Sequence, residues 1–200
     1  MTKSTLLALT LAALPSLAFA ATPPSSLTPA TDAAITYGVQ MVGKPGGVMS
    51  VSWKADSGRV RVESMMFPGW LLLQPRDNKA TMVVDAQRAA MQMPPEVAQR
   101  GAPRVPPGAT LTEAGTDTVA GLPCTLWNYE SASEGTGTLC VTEGRLMLRT
   151  VAKTHSGEEI RIEAQTVSTG PQDAARFTVP DGYAVVTPNA APATPAAPAR

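Results

Sequence analysis

The chain has 200 residues, with 16 basic and 16 acidic side chains and one histidine. A surface so balanced has no excess positive field to collect phosphates, which argues against nucleic-acid binding.

Residues 1–20 read as an export leader. Lys3 gives a positive start, an apolar run extends from Leu6 to Leu14, and Ala18-Phe19-Ala20 is a small-x-small cleavage site. The run is too short to span a bilayer, and Pro15 and Ser16 interrupt it. No cysteine follows the cleavage site to accept a lipid. The expected product begins at Ala21 and is soluble in the periplasm, with no stable membrane anchor. Residues 21–32 are Pro, Ser and Thr with little to bury, and 187–200 is an Ala/Pro tract. Both are expected to be unfolded. Residues 33–186 remain for a single domain, enough for a real core.

Within that domain, Ile35, Tyr37, Val39 and Met41 alternate with Thr36, Gly38 and Gln40, the period of a strand with one wet face. Met49, Val51 and Trp53 repeat the pattern, and 59–64 follows with Val60 and Val62 inward. Arg59 and Arg61 then fall on the solvated face of that strand. Pro68-Gly69 turns the chain into a strand over 70–74. Asp77-Asn78 turns it again, and 80–85 and 88–93 form the next hairpin. A short helix is expected over 95–100, with Pro95 at its start, Glu96 in the first turn and Gly101 closing it. A second helical turn is expected over 171–176. Strands follow over 110–119, 124–130, 136–142, 146–153 and 159–167. Turns recurring every 8–12 residues or so predict a mainly β, antiparallel fold.

Cys124 and Cys140 fall on neighbouring strands of one hairpin. Centring that hairpin on Ala132 sets Cys124 opposite Cys140 and Trp127 opposite Gly137, where an aromatic ring covers bare backbone. In an exported chain this predicts a cystine, whose closure of about 15 residues is worth roughly 3 kcal/mol.

Catalytic patterns are missing. His155 sits in a turn, Lys153-Thr154-His155-Ser156-Gly157, with no second histidine or nucleophile motif nearby. Glu159, Arg161 and Glu163 share the wet face of one strand. Asp77, Asp85 and Asp181 lie at turns or strand ends, so the chain is not expected to be an enzyme. Methionine is abundant, nine against three Phe. Met91 and Met93 share a strand face, but period-2 methionines suit a core or a cavity lining better than a copper site, and no metal or cofactor is expected.

Four phrases carry a family resemblance: Pro68-Gly69-Trp70; Val84-Asp85-Ala86-Gln87-Arg88; Gly115-Thr116-Asp117-Thr118-Val119-Ala120-Gly121 with Cys124 and Trp127; and Phe177-x-Val179-Pro180-x-Gly182-Tyr183. Together they resemble an uncharacterised Gram-negative periplasmic domain-of-unknown-function family grouped with the LolA/LppX-like lipoprotein carriers. The resemblance implies a curved antiparallel sheet, a half-barrel whose concave face is lidded by helical segments and holds acyl chains. The carriers open with an amphipathic helix. Here Pro23, Pro24 and Pro29 exclude one, so the longest candidate lid is the Pro-rich stretch 94–107.

The expected function is a soluble periplasmic binding protein with an apolar cavity for a lipid, acyl chain or lipidated partner. The alternative is an envelope interaction module without a small ligand. The expected lining residues are Trp70, Leu72, Met82, Met91 and Met93, chosen because Met and Trp adapt to variable ligands.

Overall fold

The computed structural model describes residues 21–186. The leader expected over 1–20 and the tail over 187–200 lie outside them. Twelve strands form one open sheet: β1 (Ala33–Met41), β2 (Gly47–Lys54), β3 (Arg59–Ser64), β4 (Trp70–Gln74), β5 (Lys79–Val84), β6 (Ala89–Met93), β7 (Thr110–Val119), β8 (Leu122–Ser131), β9 (Gly135–Val141), β10 (Met147–Lys153), β11 (Glu159–Thr169) and β12 (Ala184–Val186). Their spatial order is β12-β6-β5-β4-β3-β2-β1-β11-β10-β9-β8-β7. Two antiparallel meanders therefore meet where β1 pairs with β11, and among these strands only β12, lying on β6, is parallel. This is an open, curved half-barrel, mainly β and antiparallel as expected. The one α-helix among the described residues, α1 (Pro95–Arg100), has the expected bounds, and the Gly101 N–H closes it on the Val97 carbonyl. No helix among them is long and apolar enough to cross a membrane.

The main core lies on the sheet face beneath α1, called inner here. Ile35, Tyr37, Val51, Trp53, Val60, Val62, Leu71, Leu73, Trp127, Tyr129 and Leu139 are all buried there. Tyr37 donates from its hydroxyl to the Met147 carbonyl at 2.8 Å. Its complete burial pushes the phenol pKa up. Beside this bond the β9–β10 register shifts, between Met147 and Arg149.

Residues 21–32, expected to be unfolded, form no helix or strand, yet Leu27 is 2% exposed and belongs to the main core. Asp32 ties the segment down by accepting from Lys54 at 2.7 Å and from the backbone N–H groups of Ala55 and Gln172. One buried apolar side chain and one half-buried carboxylate thus order a stretch whose composition suggests none.

A second, smaller core occupies the outer face of the first meander. Trp70, Leu72, Val83 and Ala90 pack there against Phe177, with Val179 and Tyr183 at the margin. Strand β4 is therefore covered on both faces, which explains its uninterrupted run of Trp70, Leu71, Leu72 and Leu73. The cover is the C-terminal arm, residues 170–183, including a 3-10 turn at Ala174–Phe177. Arg59 and Arg61 are bound by this arm instead of being solvated, donating to the carbonyls of Phe177 and Arg176. The Arg61 guanidinium also stacks 3.8 Å above the Trp70 ring. Gly69 is required at the turn into β4, because a Cβ there would lie 2.1 Å from the Val83 carbonyl oxygen.

The cystine joins Cys124 and Cys140, with Cα atoms 5.4 Å apart. The hairpin register is two residues away from the expected one: Leu126, not Cys124, pairs with Cys140, and Trp127 pairs with Leu139. The bridge is diagonal, and Tyr129 takes the place opposite Gly137. There a Cβ would come within 2.7 Å of the Tyr129 ring, so the aromatic cover exists but comes from a different residue. A shift of two keeps every side chain on its expected face.

Candidate ligand-binding site

Between α1 and β7 the chain crosses the inner face as an irregular strap, residues 101–109. Pro103, Pro106 and Pro107 keep it extended, and Val105 and Ala109 pack onto the core. It is fastened at three points. Ala98 of α1 is buried, Arg104 pairs with Glu134 in the β8–β9 turn, and the Ser131 hydroxyl donates to the Pro107 carbonyl at 3.0 Å.

Beneath the strap lies a cavity of about 280 Å³. Its apolar wall comes from Met49, Tyr129, Leu139, Met147, Ala152 and Ile162, all supplied by strands. Its polar rim is Arg100, Arg104 and Glu134. A second compartment of about 500 Å³ shares Tyr129, Glu134 and Ala152 and extends to the 154–158 turn. The Arg104 Nη1 atom is buried with no hydrogen-bond partner among the described residues, although the guanidinium is ion-paired with Glu134. A buried N–H of this kind favours an acceptor beside it. The site therefore combines an apolar wall with a cationic group at its edge, which suits an amphiphile with an anionic head.

The five lining residues expected from sequence divide between the two faces. Trp70 and Leu72 lie in the outer core under the C-terminal arm. Met82 pairs with Leu71 and with Met91, and Met93 pairs with Ala80, so the three methionines are on the inner face. Met82 and Met93 pack against the main core and Met91 is 44% exposed. None of the five lines the cavity under the strap. Its methionines are Met49 and Met147. Met49 was readable, because it shares the period-2 face of Val51 and Trp53. Met147 was not, because the bulge beside it alters the parity of β10.

Other charged groups have structural partners. Asp85 accepts from Trp70 Nε1 at 3.3 and 3.2 Å and from the Tyr183 hydroxyl at 3.0 Å, which joins three of the four family phrases at one point. Desolvation, and then Asp85, raise the Tyr183 pKa. On the outer face of the second meander, Arg149 pairs with Asp117 and Glu163, and Arg161 pairs with Glu163. The Thr118 N–H, followed by Arg149, lowers the Asp117 pKa. His155 is exposed, with Nε2 3.0 Å from the Ala132 carbonyl oxygen. Among the described residues no group of three or more His, Cys, Asp or Glu is placed to hold a metal ion.

No family model and no curated protein matches the sequence. Solved structures do match the fold. An uncharacterized conserved protein from Thermus thermophilus aligns at 12% identity over 79% of this chain and 91% of its own, with a TM-score of 0.56. The MucB chain of the Pseudomonas aeruginosa MucA/MucB complex aligns at 14% identity, over 75% of this chain and 56% of the other, with a TM-score of 0.52. The two share one fold with this chain. This chain spans little more than half of MucB. A LolA superfamily protein from Nitrosomonas europaea aligns at 7% identity over 75% of this chain and 91% of its own; its TM-score of 0.37 is too low to carry an argument.

Proposed function

We propose that this is an exported periplasmic binding protein whose inner cavity takes one acyl chain of a lipid or lipidated partner, with the anionic head held at Arg104. The observation that carries the reading is Arg104, a guanidinium with one buried, unpartnered nitrogen among the described residues, on the rim of a cavity walled by Met49, Tyr129, Leu139, Met147 and Ile162. The cavity's volume, about 280 Å³, is close to the low end of ligand sites at roughly 300 Å³, which favours a single chain over a multi-chain lipid. The Cys124–Cys140 bridge supports an oxidising compartment. The experiment is competition of a fluorescent fatty acid by a fatty acid and by the matching alcohol. In wild type the acid competes at least tenfold better, as expected for a charge-assisted bond of about 1.5–3 kcal/mol, and Arg104→Gln removes that preference. Equal competition in wild type contradicts the reading.

A second reading, a protein-interaction module, is favoured by one observation: MucB, which shares the fold, is found in complex with MucA. On that reading the strap is a fixed cover, and neither competitor binds.

A further inference from the structure

Four of the seven exposed large apolar side chains among the described residues gather at one end of the sheet, the other three lying along the β6–β12 edge. Val42 is 77% exposed, Met65 82% and Met66 76%, in the β1–β2 and β3–β4 turns. Successive turns of a meander alternate ends, so these two project from the same end. Val48, 42% exposed, links them, because it lines an outer-face pocket of about 410 Å³ together with Met65. The floor of that pocket is Gly69 and Trp70, and its walls carry Ser50, Arg61, Glu63 and Asp85.

The charges there have a particular balance. Arg61 faces Glu63 and Asp85, and Arg176 pairs with Glu63 at 3.6 Å, so the charges balance and an anionic ligand meets no surplus of positive charge. A phosphate joined to an ammonium matches both signs at once. The only charged residue in the two turns is Lys44, paired with Glu158 at 3.0 Å. That pair is exposed on both sides and costs little to exchange for a lipid phosphate. The same contact links the β1–β2 turn to the 154–158 turn, where the wider inner compartment ends.

We propose that this end of the sheet docks reversibly on a phospholipid bilayer, with Val42, Met65 and Met66 entering the headgroup boundary and a zwitterionic headgroup filling the adjoining pocket. A protein partner would be met better by a continuous apolar face than by side chains on separate projecting turns. Shallow insertion of apolar tips, with little electrostatic drive, fits the interfacial mode of attachment. The inference extends the binding-protein reading but depends on different residues, so either can fail alone.

The test is flotation of the full mature chain with vesicles of phosphatidylcholine and phosphatidylethanolamine. Wild type should float with the vesicles, and raising the salt should change its partitioning less than about twofold, since screening acts on charges and not on apolar insertion. Met65→Asp with Met66→Asp should reduce partitioning at least tenfold, the loss of two buried apolar side chains. Val185→Asp, on the exposed edge strand, should leave it unchanged. Circular dichroism and fatty-acid binding, both retained in the double variant, show that the fold and cavity are intact. Folded wild type that stays with the protein-only fractions overturns the proposal. So does flotation abolished by salt, or flotation indifferent to the double variant.

Discussion

Each face of the sheet is covered by an irregular segment, but the two covers act differently. On the outer face, the 170–183 arm buries Phe177 to 1% exposure and is bound through its backbone by Asp32, Arg59 and Arg61 and through Tyr183 by Asp85. Phe177 packs directly on Trp70, Leu72, Val83 and Ala90. On the inner face, the strap places Val105 and otherwise only small residues and prolines over the strands, and its main polar fastening is one partly exposed ion pair, Arg104 with Glu134. A cavity remains below it. The difference shows how two irregular segments on one sheet become a clasp and a lid: the clasp fills its site with an aromatic side chain, while the lid spans its site and leaves room.

The largest test of this contrast is Phe177→Ala. It removes the clasp's anchor and should cost about 3–5 kcal/mol in chemical denaturation, the range for truncating a buried aromatic. A loss below about 1 kcal/mol would mean that the arm is held by its backbone bonds alone. Next is replacement of Cys124 and Cys140 together by Ser, which should cost about 2–4 kcal/mol without changing the strand content. That bridge joins β8 and β9, the strands that carry Tyr129 and Leu139, so fatty-acid affinity should weaken along with stability; unchanged stability contradicts the prediction.

The smallest effect concerns Asp32, which joins the start of the C-terminal arm to the end of β2. The Lys54 ammonium, then the N–H groups of Gln172 and Ala55, hold its pKa at about 2, below the ordinary 3.8. The folded state therefore favours the ionised form. Its contribution is fully present above the ordinary value and is lost as pH falls through 3.8 toward about 2. Asp32→Asn should cost about 1.5 kcal/mol at neutral pH, and the variant should lose part of the wild type's acid sensitivity between those two values. Identical acid unfolding curves would remove Asp32 from this role.

Much of the sheet was legible because it is built of hairpins whose turns and period-2 faces are local. Arg59–Ser64, Trp70–Gln74 and Thr110–Val119 have the bounds that the sequence predicts. The Cys124–Cys140 pairing survived a register error of two because such a shift preserves the face. The cavity was not legible in the same way. Grouping Trp70 with Met82 ignored that the Pro75–Asp77 turn pairs Met82 with Leu71, which sends the two to opposite faces. The roles of Arg61 and Phe177 depend on contacts between the first meander and the arm, such as Arg61 with Arg176 and Phe177 with Trp70, that span more than 100 residues, and no local pattern reports such a contact. Arg104, in a Pro-rich stretch, offers no periodicity at all; its meaning comes from Glu134 and the wall beneath it.

The most direct test is titration of a fluorescent fatty acid into wild type and into Ala152→Phe, which fills the space shared by the two inner compartments. The account predicts about one site in wild type and none in the variant, with both proteins folded by circular dichroism. A folded wild type that binds no probe, or an Ala152→Phe variant that binds it undiminished, would contradict a ligand cavity beneath the strap.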